Sequence, residues 1–308
     1  MIGLRTFAAL SLSLAASPSF AQSSDPLPAD RAPAAASIDV FASTDADHTE
    51  VLRAGINLDW SHAGEDRYQG IRLEKALFTP LGQETTGFER IYARYADKGD
   101  LWAWSAQMGT DGATALGSFN LTDTSRYRKE LFIERDILET PRGVQEGIYY
   151  TFAGLALDVP LTDRDTTTVV LAGQEFTGKN VRLHVRGNYV HVLKPRWGLS
   201  VQLRTRYFRS TVPGEYDYFS PKWYVEALPV IQVRRFSAGW RYVVAGGYGA
   251  QRDAASGWRS SRYLNAQVSS PASRRVQLKA SLVYSNTPVG SGYVYDYLQG
   301  TLSLTTRL

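Results

Sequence analysis

The sequence predicts an all-β chain, a transmembrane antiparallel β-barrel of 16 strands. Three observations carry that expectation. First, no apolar run of 18 or more residues follows the N-terminal segment, so the remainder holds no membrane-spanning helix. Second, the chain runs on in segments of about ten residues that alternate polar and apolar, the period that sends successive side chains to opposite faces of a sheet. Third, the two faces differ in kind. The apolar face is bracketed by aromatics (Trp102, Trp104, Tyr207, Trp240 and Tyr242), whereas the other carries long charged side chains in strand after strand. A soluble sandwich also alternates, but its inner face is dry and does not take rows of arginine. Lipid outside and water inside suit both faces.

The elements follow in chain order. Met1–Ala21 reads as a secretory signal, with Arg5 as its positive region, Phe7–Ala16 as its apolar core and Ser19-Phe20-Ala21 as a small-x-small cleavage site. Residues 22–36, rich in Ala, Pro, Ser and Asp, have no periodicity and read as a flexible lead-in. The barrel is expected over 37–308, with strands near 37–44, 50–62, 67–78, 88–97, 100–110, 115–121, 127–137 and 146–158. The second half gives 166–176, 180–193, 197–210, 220–233, 235–249, 259–270, 274–286 and 292–308. Val181-Arg182-Leu183-His184-Val185-Arg186 shows the alternation at its cleanest. The count is even, as closure of a single bacterial chain requires. A count of 14 also fits, because 115–121 is the weakest segment. Turn chemistry marks several joints, among them Lys98-Gly99-Asp100, Pro213-Gly214 and the stretch 253–257.

Composition excludes several functions. With no cysteine there are no disulfides, no Cys-ligated zinc, no redox thiols and no lipid-modified N-terminal Cys. The charge balance, 34 − 30 = +4, is too small to argue for nucleic acid. Catalysis finds no support. Ser61 adjoins His62, but neighbours in a strand face opposite ways and form no nucleophile–base pair. No His-x-x-x-His pair, Gly-x-Ser-x-Gly elbow or Walker loop occurs, and Gly246-Gly247-Tyr248-Gly249 ends a strand with no helix after it. The sequence therefore predicts no enzyme, no cofactor and no metal.

Parity assigns the lumen. With the apolar face outward, Arg53, Arg72, Glu74, Glu130, Glu134, His184 and Lys279 point inward. The candidate path residues are Arg182, Arg186, Arg204, Arg206, Arg234 and Arg241, joined by Tyr293, Tyr295 and Tyr297 of the last strand. Guanidinium groups grip carboxylate or phosphate in a forked geometry, so a ladder of them favours an anion; they can equally brace the wall through Glu130, Glu134, Asp136 and Glu226. Tyrosine faces with hydroxyls offer sugar rings contacts weak enough to leave, and at a rim they serve as an interface girdle instead.

A resemblance lies in the middle of the chain. Glu134-Arg135-Asp136-Ile137-Leu138-Glu139-Thr140-Pro141, Gln145-Glu146-Gly147-Ile148-Tyr149-Tyr150 and Gln174-Glu175-Phe176-Thr177-Gly178-Lys179-Asn180-Val181-Arg182 resemble the barrel of poly-N-acetylglucosamine export porins. Tyr218-Phe219-Ser220-Pro221-Lys222-Trp223-Tyr224 is similar to a motif in barrels of cellulose and related exporters. The resemblance covers roughly 127–235 and is patchy elsewhere. The C-terminal strand resembles the terminal insertion signal of outer-membrane barrels, with Leu308 where an aromatic residue is usual. These likenesses imply a bacterial outer-membrane porin exporting an exopolysaccharide, seated in outer-membrane lipid. Such exporters carry helical tetratricopeptide repeats before the barrel; none is read here, so a separate periplasmic scaffold protein and an inner-membrane synthase are the implied partners. The rival expectation is a non-conducting surface barrel acting as adhesin, receptor or structural envelope protein.

Overall fold

The computed structural model describes residues 32–272, 274–288 and 294–308; the expected signal and residues 22–31 of the lead-in lie outside the described residues. Sixteen strands form one closed antiparallel sheet in which each pairs with its sequence neighbours and the first closes on the last. They are β1 (Ala35–Asp45), β2 (Glu50–Gly64), β3 (Arg67–Thr79), β4 (Thr86–Lys98), β5 (Trp102–Thr110), β6 (Ala115–Asp123), β7 (Lys129–Ile137) and β8 (Tyr149–Pro160). The circuit continues with β9 (Asp165–Phe176), β10 (Val181–Lys194), β11 (Leu199–Ser210), β12 (Trp223–Ser237), β13 (Trp240–Asp253), β14 (Arg259–Ser269), β15 (Val276–Pro288) and β16 (Val294–Arg307). Closure leaves no sheet edge, so every strand finds hydrogen-bond partners on both sides without water.

Every expected strand is present. The weak segment forms β6, and the count is therefore 16 rather than 14. Its weakness has a cause. Gly117 sits at φ 153°, where a Cβ would lie 2.1 Å from the carbonyl oxygen of Gln107, so no larger residue fits the place where β6 crosses β5. The largest shifts in boundary fall at β12 and β13, whose turn lies at 238–239 rather than near 234. β1 begins at Ala35, two residues inside the segment read as lead-in.

Parity holds around the wall. Ile38, Leu278 and Leu304 stand level on neighbouring strands, and Ile38 and Leu304 are exposed on the outer surface. Leu183, Ile231 and Val244 are each about 60% exposed there. A belt of aliphatic side chains left this bare would be costly in water and is at ease against hydrocarbon. Trp102, Tyr207 and Tyr242 lie on the same outer face, where amphipathic rings bracket a lipid-facing band.

The two rims differ. At the end where β1 starts and β16 stops, connections such as 65–66, 161–164 and 238–239 are short. The opposite rim, called here the loop end, carries the two long connections, 138–148 and 211–222. Short turns on the periplasmic side and longer loops outside place the loop end at the cell surface. The first long connection contains α1 (Pro141–Glu146), capped by the Thr140 hydroxyl, opened by proline and stopped by Gly147 at φ 65°.

Candidate functional site

The lumen divides into an open half and a filled half. The open half is built from β1–β3 and β13–β16, around a cavity of about 730 Å³. On one side stand Gln267, Ser269, Ser281, Gln299, Thr301 and Ser303, and facing them are charged groups of both signs. Asp39, Glu65, Glu74 and Glu134 are matched there by Arg53, Arg72, Arg241 and Lys279. Most of these charges are tied together. Arg72 meets Asp39 at 2.5 Å and Glu74 at 2.8 Å, and Arg90 meets Glu74 at 3.0 Å and Asp136 at 3.3 Å. Lys279 reaches Glu65 at 2.5 Å. A second cavity of about 300 Å³ beside β4–β7 shares Arg53, Glu74 and Glu134 with the first.

Arg53 links the wall to the first long connection. Its guanidinium meets Asp136 at 3.1 Å and grips the Glu139 carboxylate, which the chain carries in from the end of β7. Burial raises the Glu139 carboxyl above its ordinary range, Arg53 pulling against the shift and Asp136 adding to it.

The filled half faces β7–β12 at the loop end. Phe132, Phe152, Phe176, Tyr218, Phe208 and Tyr224 pack there, with Phe176 stacked on Tyr218 at 4.3 Å and Phe208 on Tyr224 at 5.0 Å. His184 sits between Phe152 and Phe208. The second long connection turns inward over this cluster, and Asp217 joins the two loops. Its carboxylate accepts the Thr140 hydroxyl at 2.6 Å and the Arg142 backbone N–H at 2.8 Å. Glu215 accepts the N–H groups of Lys179 and Asn180 at 2.6 and 2.9 Å, and the Asn180 amide donates to the Tyr218 hydroxyl at 2.7 Å. Burial pushes the Tyr218 phenol up to about 12. Together the two loops form a lid over this sector.

The structure separates the arginines that parity had pooled. Arg182 is buried beneath the lid, its guanidinium 4.6 Å from the Phe208 ring centroid and donating to the Phe219 carbonyl oxygen at 2.5 Å. Arg186 and Arg206 stand directly opposite each other on β10 and β11. Arg206 pairs with Glu226 at 3.0 Å and donates to the Tyr224 hydroxyl at 2.7 Å; Arg186 lies over Phe152. Arg204 donates to Gln202 and stacks over Tyr263, Arg234 lies on the lumen face of β12, and Arg241 borders the open cavity. Tyr297 turns inward and hydrogen-bonds Ser43. Tyr293 lies outside the described residues, as does the side chain of Tyr295.

Sequence reasoning missed the lid, including Thr140, Asp217 and the docking of Glu139 on Arg53. A signal existed: Thr140-Pro141 before Gly147 is a cap, a first-turn proline and a stop, lying in the connection between the expected strands 127–137 and 146–158. The resemblance motifs converge on the same place. Tyr218, Phe219, Asn180, Phe176 and Glu139 all belong to the lid or its seat.

A closed barrel with an apolar belt outside and a polar, partly open lumen inside is a porin-like outer-membrane barrel. No family model matches the chain, and no curated protein matches it. Among solved structures, one described as a bacterial polysaccharide outer membrane secretin matches with a TM-score of 0.66 at 15% identity, over 89% of this chain and 98% of that one. Pseudomonas aeruginosa OccK5 (OpdH) matches with a TM-score of 0.46 at 12% identity, over 90% and 98%. Salmonella typhi OmpF in complex with daunomycin matches with 0.43 at 8%, over 89% and 97%. The first of these likenesses is one of fold: an outer-membrane barrel of the same architecture.

Proposed function

We propose that this barrel passes an exopolysaccharide across the outer membrane, without chemistry or cofactor. The observation that carries the reading is the open half of the lumen. There, amides and hydroxyls of Gln267, Ser269, Ser281, Gln299, Thr301 and Ser303 face a charge-balanced wall. A hydroxyl-rich chain can exchange hydrogen bonds with such groups one at a time, which permits both entry and exit. With Asp39, Glu65, Glu74 and Glu134 set against Arg53, Arg72, Arg241 and Lys279, this half gives little preference for an anion. An anionic polymer would draw on Arg182, Arg186 and Arg206 only after the lid opens. The separate periplasmic scaffold and inner-membrane synthase belong to the same proposal.

The second reading, a non-conducting surface barrel, has the lid in its favour, since Asp217 ties the two long loops across the filled sector. One experiment separates the two. In planar bilayers the wild-type channel should conduct, and linear oligosaccharides added to one side should interrupt the current. Ser303→Trp and Thr301→Trp, which fill the open half, should cut the conductance at least severalfold. Absence of any conductance, or conductance indifferent to both oligosaccharides and tryptophans, would overturn the export reading.

A further inference from the structure

The outer wall carries a cation pair that no ion pair neutralises among the described residues. Arg209 stands next to last on β11, and Arg252 next to last on β13; both are exposed on the outward face at the loop end. Trp223 lies between them. It is the register partner of Arg209, and its ring centroid is 5.8 Å from the Arg252 guanidinium carbon. Among the described residues neither arginine has an ion pair, and the outward positions of β11–β13 hold no carboxylate at all. Elsewhere toward the same rim an outward cation is already matched: Lys75 on β3 meets Glu89 on β4 at 2.8 Å.

The depth of the pair is set by the side chains beneath it. On β11 the outward order toward the loop end is Leu203, Thr205, Tyr207, Arg209. On β13 it is Val244, Gly246, Tyr248, Ala250, Arg252. Aliphatics come first, then an interfacial tyrosine, then the guanidinium, with Tyr248 70% exposed. At about 3.3 Å per residue the arginines lie roughly 7 and 13 Å along the strand beyond their tyrosines. Hydrocarbon ends at the tyrosines, so the guanidinium groups stand in the headgroup layer of the leaflet at the loop end.

We propose that Arg209, Trp223 and Arg252 form a binding site for the phosphorylated headgroup of an outer-leaflet glycolipid. Guanidinium is the group suited to gripping phosphate through paired N–H donors, and the indole between the two arginines offers a flat face to a sugar ring. Two inter-strand steps and a two-residue offset in register separate the cations' backbones by about 12 Å, a spacing that suits phosphates at the two ends of a disaccharide headgroup better than one free phosphate. The site is independent of what the lumen passes.

The test uses the full chain, purified in neutral detergent, with a bis-phosphorylated disaccharide glycolipid (lipid A) as probe and bound lipid counted by native mass spectrometry. Arg209→Gln/Arg252→Gln should weaken binding at least tenfold, Arg209→Lys/Arg252→Lys should retain most of it, and Lys75→Gln should leave it unchanged. Removing both phosphates from the lipid should lower binding to the wild type to the level of the double Gln variant. Heat-modifiable mobility on a gel confirms that each variant is folded. Equal binding by wild type and the double Gln variant, or by phosphorylated and dephosphorylated lipid, would overturn the proposal. So would full displacement of the lipid by millimolar inorganic pyrophosphate, because the site would then be one for a soluble anion.

Discussion

Asp217→Ala is the sharpest probe of the lid. The side chain accepts two hydrogen bonds from the other loop, one from the Thr140 hydroxyl at 2.6 Å and one from the Arg142 N–H at 2.8 Å. Hydrogen bonds to a charged acceptor are worth about 1.5–3 kcal/mol when buried. Asp217 is exposed, so about 1 kcal/mol each is the better figure, or about 2 kcal/mol for the pair. That shifts the equilibrium between docked and released loops about 30-fold. The barrel should still fold, because the sixteen-strand wall closes without either loop. In single-channel recordings the variant should spend far more time in a larger-conductance state, and that state should favour chloride as Arg182, Arg186 and Arg206 become wet. Limited proteolysis gives an independent readout of loop release. Cleavage within 211–222 that rises while conductance stays at the wild-type level would refute the idea that these loops gate the lumen.

Two further outcomes are expected. Leu278→Arg should destabilise the barrel by about 2–4 kcal/mol in urea titrations of the liposome-inserted protein, whereas Thr301→Arg on the lumen face should stay within about 1 kcal/mol; similar losses at both sites would contradict the assigned faces. Glu139 supplies a pH dependence. Its carboxyl is raised by burial from 4.5 to about 7, so the docked loop is favoured while the group is protonated. That stability is fully present below about pH 4.5 and is lost as the pH rises through about 7. Hydrogen exchange in 138–148, corrected for intrinsic rates, should therefore be faster at pH 8 than at pH 5, and Glu139→Gln should flatten the difference.

The wall was legible in the sequence because each strand carries its own instruction. Alternation in Val181–Arg186 or Gln277–Leu282 decides locally which side chains meet lipid, and closure merely repeats that decision around the circle. β6, with Gly117 interrupting its pattern, was the weakest of the expected segments, and only closure of the circle fixed it as a strand. The lid was not legible in that way. It depends on Thr140 meeting Asp217, 77 residues away, and on Arg53 meeting Glu139, 86 residues away. No periodicity records which of the connections will fold inward. The lumen's charge divides along the same line. The sequence by itself determined that arginines point inward, since parity is a property of single strands. Only the tertiary structure decided that Arg182, Arg186 and Arg206 lie under aromatic rings and a lid while Arg72, Arg241 and Lys279 border open space. Burial inside a barrel is a property of the whole circumference, set by what packs across it.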